Sequence, residues 1–318
     1  MKHRLGFLLS LLVAGTLAGC SGSGSGSSGT RATATTAAPT TAAAAPAIDC
    51  GNPRASLRPV GPLPAPNQMP VGSYMEVIQK RGRLVVGASP DTLLFGSVNP
   101  FNAQFEGFDI DVVRELSKAI FGSPDKIEFH AVTNAQRIPL VRDGTVDLVA
   151  HTMTINCARR QIVDFSSVYF EAGQKVLVRK DSAAKSIDDL GGKKVCAPNG
   201  TTSLDNIAKV SSHPIPVGVA DETDCLLAFQ TGEVDAISTD DTVLEGMAAQ
   251  DPFAKIVGER FSEEPYGLCV NLDHPEFTRF LNAVLDRMRA DGTWALIYAH
   301  WLGRFGPTPE PPAALYRN

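Results

Sequence analysis

The sequence predicts an α/β protein of two lobes, each a mostly parallel sheet flanked by helices, and three observations predict it. The chain has 318 residues, 43% of them hydrophobic and 20% charged, enough to build two cores of ordinary soluble composition. From Ser73 onward, apolar runs of strand length alternate with stretches whose apolar residues recur at helical spacing, the pattern of a parallel sheet. After Lys175-Val176-Leu177-Val178 this alternation starts afresh, which marks a second lobe.

Residues 1–19 lie outside that fold. Lys2, His3 and Arg4 precede the apolar run Leu5–Ala18, the layout of an export signal. Leu17-Ala18-Gly19-Cys20 resembles the lipobox of bacterial lipoproteins, which makes Cys20 the expected acylated anchor; a plain secretory signal is the alternative. Residues 20–47 are Ser/Gly and then Thr/Ala/Pro, with almost no large side chain to bury. They predict a disordered tether reaching tens of Å, on an estimate of ~5–6 Å times the square root of its length. Residues 48–72 hold six prolines from Pro53 to Pro70 and predict an extended strap lying on the domain.

In the globular part, Ser73 caps a short helix through Gln79, and Arg83–Gly87 reads as a buried strand. Gly107–Phe121 places Phe108, Val112, Val113, Leu116, Ala119 and Ile120 on one helical face, with Gly122 as its stop. Strands follow at Ile127–Val132 and Val146–Ala150. The second series runs strand Lys193–Ala197, helix Leu204–Val210, strand Ile215–Val219, helix Thr223–Phe229 and strand Val234–Ser238. Tyr266–Asn271 is a last strand, and Pro275–Phe305 two helices broken at Asp291-Gly292. The net charge of −5, with no basic run interleaved with aromatics, argues against a nucleic-acid partner.

Residues 134–170 depart from this plain pattern. The strand face of Val146, Leu148 and Ala150 is followed at once by His151, Thr152, Thr154, Asn156 and Arg159. Two hydroxyls two residues apart on an extended chain share a side, and a guanidinium just beyond can join them around a carboxylate. The competing reading is a solvated strand edge with a surface arginine.

Ile138-Pro139-Leu140, Gly144, Asp147, Met153-Thr154-Ile155, Arg159, Asp164-Phe165-Ser166 and Tyr169 resemble the central motif of the extracellular solute-binding proteins, family 3, which deliver polar amino acids to ABC importers. Gly107-Phe108-Asp109-Ile110-Asp111-Val112 matches the same family, whereas Ser117 stands where a small apolar residue is usual. Within the family the likeness is to glutamine- and glutamate-binding lipoproteins of actinobacteria. The resemblance implies a periplasmic-binding-protein fold with a discontinuous first lobe of residues 73–175 and 267–306, a second lobe of 176–266 and a tail of 307–318. It also implies a two-strand hinge near Phe170–Val178 and Glu264–Val270, with ligand between the lobes.

It implies roles as well. Thr152, Thr154 and Arg159 would hold the α-carboxylate, Thr202 would add to it from the loop Gly200-Thr201-Thr202, and Asp240 would pair with the α-ammonium. Helix capping is the plainer reading of Thr202 and Asp240, and Asp241 is one residue away from the second assignment. Arg137 would meet a side-chain carboxylate, which puts glutamate or aspartate first and asparagine or glutamine next, unless Arg137 lies on the surface. The family's aromatic clamp is replaced at Thr92, with Phe95 or Phe101 as possible substitutes. The expected protein is a monomer outside the cytoplasm, lipid-anchored through Cys20, with an ABC permease or a membrane receptor as partner and no cofactor.

Besides Cys20, five cysteines remain in a chain bound for an oxidising exterior, so disulfides outrank metal or catalysis. Cys196 with Cys225 is the first pairing and Cys50 with Cys157 the second, leaving Cys269 a buried thiol; no CxxC or HxxxH spacing supports zinc. Two rival functions are a sensor presenting its bound state to a membrane receptor and an enzyme using Cys157, His151 and Asp164 as nucleophile, base and orienter.

Overall fold

Two five-stranded sheets carry the fold, and the chain reaches each by a different route. The computed structural model describes residues 50–317, so the expected signal 1–19, Cys20, the tether to residue 47 and the first residues of the strap lie outside the described residues. In the first sheet the spatial order is Ile127–Ala131, Leu84–Ala88, Leu148–Ala150, Cys269–Val270 and Asp164–Phe165. In the second it is Ile215–Val219, Lys194–Pro198, Ala236–Asp240, Gln174–Arg179 and Ala254–Val257.

One strand in each sheet is antiparallel to both its neighbours: Cys269–Val270 in the first and Gln174–Arg179 in the second. The cause is the route of entry. Strands reached through a helix crossover run parallel, as Leu84–Ala88 does with its neighbours. The two reversed strands are instead entered directly from Phe170–Ala172 and Glu264–Tyr266, which pair with each other as a separate antiparallel ribbon. That ribbon is the expected two-strand connection.

The single strand expected over Tyr266–Asn271 is therefore two, Glu264–Tyr266 in the ribbon and Cys269–Val270 in the sheet. Both pieces are buried, so hydropathy does not separate them. Gly267 lies at the break, where an added Cβ would sit 2.7 Å from Ile155 Cδ1. Other bounds move by a few residues: the helix expected at Leu204–Val210 forms over Thr202–Ile207, and the strand expected at Val234–Ser238 over Ala236–Asp240. Three short strands at Asp91–Thr92, Gly96–Val98 and Phe105–Glu106 went unrecognised, being too short to show alternation.

Around the ribbon, Phe95, Phe108, Tyr169, Phe170, Tyr266 and Trp294 form a buried aromatic core against helices Phe108–Phe121, Pro275–Ala290 and Thr293–Leu302. Ser117, the departure within the first of these helices, is buried and satisfied by donating to Ser123 O at 2.7 Å. The described part of the strap carries no helix, turns at 53–54 and 66–67, and pairs Ser56–Leu57 in parallel with Tyr316–Arg317 of the tail, a pairing the proline pattern does not reveal. Cys50–Cys157 and Cys196–Cys225 are bonded and Cys269 is free and buried, all as expected.

Candidate functional site

The six residues expected to bind ligand, Arg137, Thr152, Thr154, Arg159, Thr202 and Asp240, line one cleft. On the first-sheet side, the chain leaves strand Leu148–Ala150 and turns at Thr152, whose φ of 40° is left-handed. A β-branched residue adopts that conformation only under constraint. The constraint is Asp109, fully buried, whose Oδ2 accepts the Thr152 N–H at 2.8 Å and whose Oδ1 accepts Tyr169 Oη at 2.7 Å. Burial pushes this carboxyl up to about 6 despite those two donors.

Asn156 then caps the one-turn helix Cys157–Arg160 by accepting the Arg159 N–H at 2.9 Å. The Arg159 guanidinium donates through Nη1 to Thr154 O at 2.7 Å and through Nη2 to Gly200 O at 3.1 Å. Arg137 donates from Nη2 to the same Gly200 carbonyl at 3.2 Å, and to Asn134 O and His151 O at 2.9 and 3.0 Å. It is 2% exposed, which removes the surface reading. Each guanidinium keeps N–H groups beyond these bonds, since it carries five.

Gly200 makes this closeness possible: with φ +77° and Ala135 Cα only 2.9 Å from where a Cβ would stand, no larger residue fits without the facing elements parting. Beside it, Thr201 does the helix capping, accepting Leu204 N–H at 3.2 Å, which leaves the Thr202 hydroxyl directed elsewhere. That hydroxyl and Thr154 Oγ1 both donate to Glu264 Oε2, at 2.7 and 2.6 Å. Sequence reading misses Glu264, which follows Glu263 ahead of the strand expected from Tyr266 and reads as a surface acid. Its consequence is that these two hydroxyls spend their single protons on the ribbon, so the Arg159 N–H groups are the stronger donors left for an anion.

Asp240 does not cap the helix that follows it. Its Oδ2 accepts Tyr266 Oη at 2.5 Å and its Oδ1 is buried without a partner. Burial first, and the charge of Glu264 second, hold this carboxyl well above the usual range. Asp241 points away, its Oδ2 accepting Arg260 Nε at 2.6 Å, so Asp240 is the cleft residue of the two. A buried acid with a vacant oxygen suits a cation that brings its own charge.

Two alternatives left open by the sequence fall away. Phe95 sits in the aromatic core and Phe101 is 95% exposed, so neither replaces the clamp at Thr92. Cys157 is locked in a disulfide and Asp164 is engaged by Arg160 and Thr278, which dismantles the imagined triad. His151 is buried with neither ring nitrogen bonded, kept neutral by desolvation and by Arg137.

Sequence reading also missed Glu222, the second residue of the Asp221-Glu222 helix start. It lines the cleft at 4% exposure, with Oε1 accepting Asn134 Nδ2 at 3.0 Å and Oε2 buried without a partner. Burial, then Asp91, pushes it up to about 7. An acid raised in the folded state favours folding below its ordinary value near 4.5, and that contribution is lost as pH rises through about 7. The free protein is expected to melt lower at pH 8 than at pH 5. Glu222→Gln should flatten that slope; an equal slope in the variant would assign the effect to other buried acids.

Residues 84–304 match the family described as bacterial extracellular solute-binding proteins, family 3. The chain is 38% identical over 229 residues to the ABC transporter glutamine-binding protein GlnH of Bacillus subtilis, covering 72% of this chain and 84% of that one. It is 33% identical over 242 residues to the glutamate-binding protein GluB of Corynebacterium glutamicum, covering 70% and 80%. Among solved structures, an ancestral arginine-binding protein bound to glutamine superposes with a TM-score of 0.66 at 36% identity, covering 70% of this chain and 99% of that one.

Proposed function

As a member of the bacterial extracellular solute-binding proteins, family 3, the chain works outside the cytoplasm, and we propose that it captures one polar amino acid in the cleft and delivers it to an ABC importer. Residues 73–175 with 267–306 form one lobe and 176–266 the other; Cys20 anchors a monomeric receptor to the membrane. Arg159 takes the α-carboxylate and Asp240 the α-ammonium.

For the side chain, the observation that carries the reading is the pair Arg137 and Glu222, one donor and one acceptor buried in the same cleft. A carboxamide meets both at once, its oxygen on Arg137 and its NH₂ on the vacant Glu222 Oε2. A side-chain carboxylate pairs with Arg137 but faces a second carboxylate. Arg137 by itself would put glutamate first; with Glu222 beside it, glutamine leads, glutamate follows, and asparagine and aspartate come after. Two relatives that are glutamine-binding proteins support placing glutamine first.

Calorimetric titration of the protein with the twenty amino acids tests it. Glutamine is expected to bind tightest, and glutamate to gain on it as pH falls below about 7, where Glu222 takes up a proton and becomes a donor. A flat response to all twenty would remove the amino-acid reading, and glutamate ahead of glutamine at pH 8 would remove the role of Glu222.

A further inference from the structure

Beside the amino-acid cleft, Asp91, Asp221 and Glu222 each bring a carboxylate oxygen within 4.8 Å of the other two. Asp91 follows strand Leu84–Ala88 of the first sheet, while Asp221 and Glu222 start the helix Glu222–Thr231 that packs on the second. No lysine, arginine or histidine forms an ion pair with any of the three among the described residues. The charge of Arg137 acts on Glu222, but that guanidinium is tied to three backbone carbonyls.

Two of the oxygens are also vacant. Glu222 Oε2 and Asp221 Oδ1 are buried and accept no hydrogen bond, although Glu222 is 96% removed from solvent by its 4% exposure. Asp91 is engaged but not saturated: Oδ2 accepts the N–H and hydroxyl of Thr223, and Oδ1 accepts Ser89 Oγ at 3.0 Å. When these acids are ionised, two vacant, buried oxygens beside the Asp91 carboxylate call for a counter-charge.

We propose that Asp91, Asp221 and Glu222 form a calcium site that bridges the two lobes beside the amino-acid cleft. The ligand chemistry is hard oxygen only, which suits calcium or magnesium and no softer ion. The number of carboxylates selects between them. Calcium takes several protein carboxylates in a flexible shell, and all three oxygens lie within the roughly 5 Å that its bonds of about 2.3–2.6 Å span, whereas magnesium holds most of its waters and is bound through one or two carboxylates. Three carboxylates leave the remaining calcium positions to water. Residue 91 is far from 221 and 222 in the chain, which is why no motif spacing announces the site.

A bridge between lobes has a functional consequence. Calcium favours the closed arrangement and cancels the Glu222 charge, so an acidic amino acid gains most from it. This second statement rests on the cleft reading above; the metal site itself does not. The two effects are reciprocal, and glutamate must raise calcium affinity by the factor by which calcium raises that of glutamate.

The test is a calorimetric titration of the EDTA-treated full chain, free of amino acid, with calcium chloride and in parallel with magnesium chloride. One saturable calcium site is expected, with a dissociation constant of about 1 mM or tighter, the range of extracellular calcium modules, and weaker magnesium binding. Asp221→Asn should abolish it while leaving glutamine binding in EDTA unchanged, which shows that the variant is folded; Asp91→Asn should act alike. Glutamate affinity should rise about fivefold or more at saturating calcium. No saturable calcium heat, or calcium binding that survives both substitutions, would overturn the site. Glutamine binding in EDTA reports on the cleft reading separately.

Discussion

Arg159→Ala is expected to abolish binding of every amino acid, whatever its side chain, because the α-carboxylate is common to all of them. Arg159 is 8% exposed, and removing one partner from a buried, charge-assisted contact costs roughly 2–5 kcal/mol, about 30-fold to several thousand-fold in affinity. The truncation also leaves the carbonyls of Thr154 and Gly200 without this donor, so the closed cleft loses a tie as well as a ligand contact. Arg137 still holds Gly200 in that variant. Arg137→Ala should act differently, changing the order of glutamine and glutamate more than binding as a whole. Calorimetry on both variants with both ligands decides it. Equal losses for both ligands in both variants would mean that the two arginines are not divided between main chain and side chain.

Removing the Cys50–Cys157 disulfide is the second large effect. The bond joins residues 107 apart in sequence, and on a chain-entropy estimate closing a loop of that length contributes about 4–5 kcal/mol. Cys50→Ser combined with Cys157→Ser should therefore lower the denaturant midpoint by more than the corresponding pair at Cys196–Cys225, which is separated by 29 residues and contributes about 3.5 kcal/mol on the same scale. The first pair should also cost affinity. Cys157 opens the one-turn helix that ends with Arg159 and Arg160, and a helix that short has no stability of its own. What remains to hold it is the Asn156 cap, the pairing of Arg160 with Asp164 and the bond from Arg160 to Pro53 O in the strap. Urea unfolding of both double variants, with glutamine affinity measured on each, separates the outcomes; unchanged affinity in the first would show that the strap steadies the fold without steadying the site.

The α/β class and the restart into a second lobe were legible from strand and helix periodicity, and the two disulfides from an export signal together with where the cysteines fall among the elements. Thr152, Thr154 and Arg159 stand out as a polar run after an apolar strand, whereas Arg137, Thr202 and Asp240 were legible only through the resemblance to the solute-binding family; all six line the cleft. Tertiary structure alone decided which partner each one takes. Asp240 rather than Asp241 faces the cleft because Arg260 and the Gly173 N–H draw the second aspartate the other way. Thr201 rather than Thr202 caps its helix, and the hydroxyl so released turns to Glu264, a residue whose strand gives no sign of it. Glu222 reads in the sequence as an ordinary acid in the first turn of a helix, where a carboxylate is favoured in any protein. Only the packing of that helix against the Asp91 loop buries it, leaves its Oε2 vacant and puts it in reach of both the cleft and the cluster. The reason is general: periodicity reports which face of an element is apolar, whereas the partner of a buried charge is set by residues that folding brings from elsewhere in the chain.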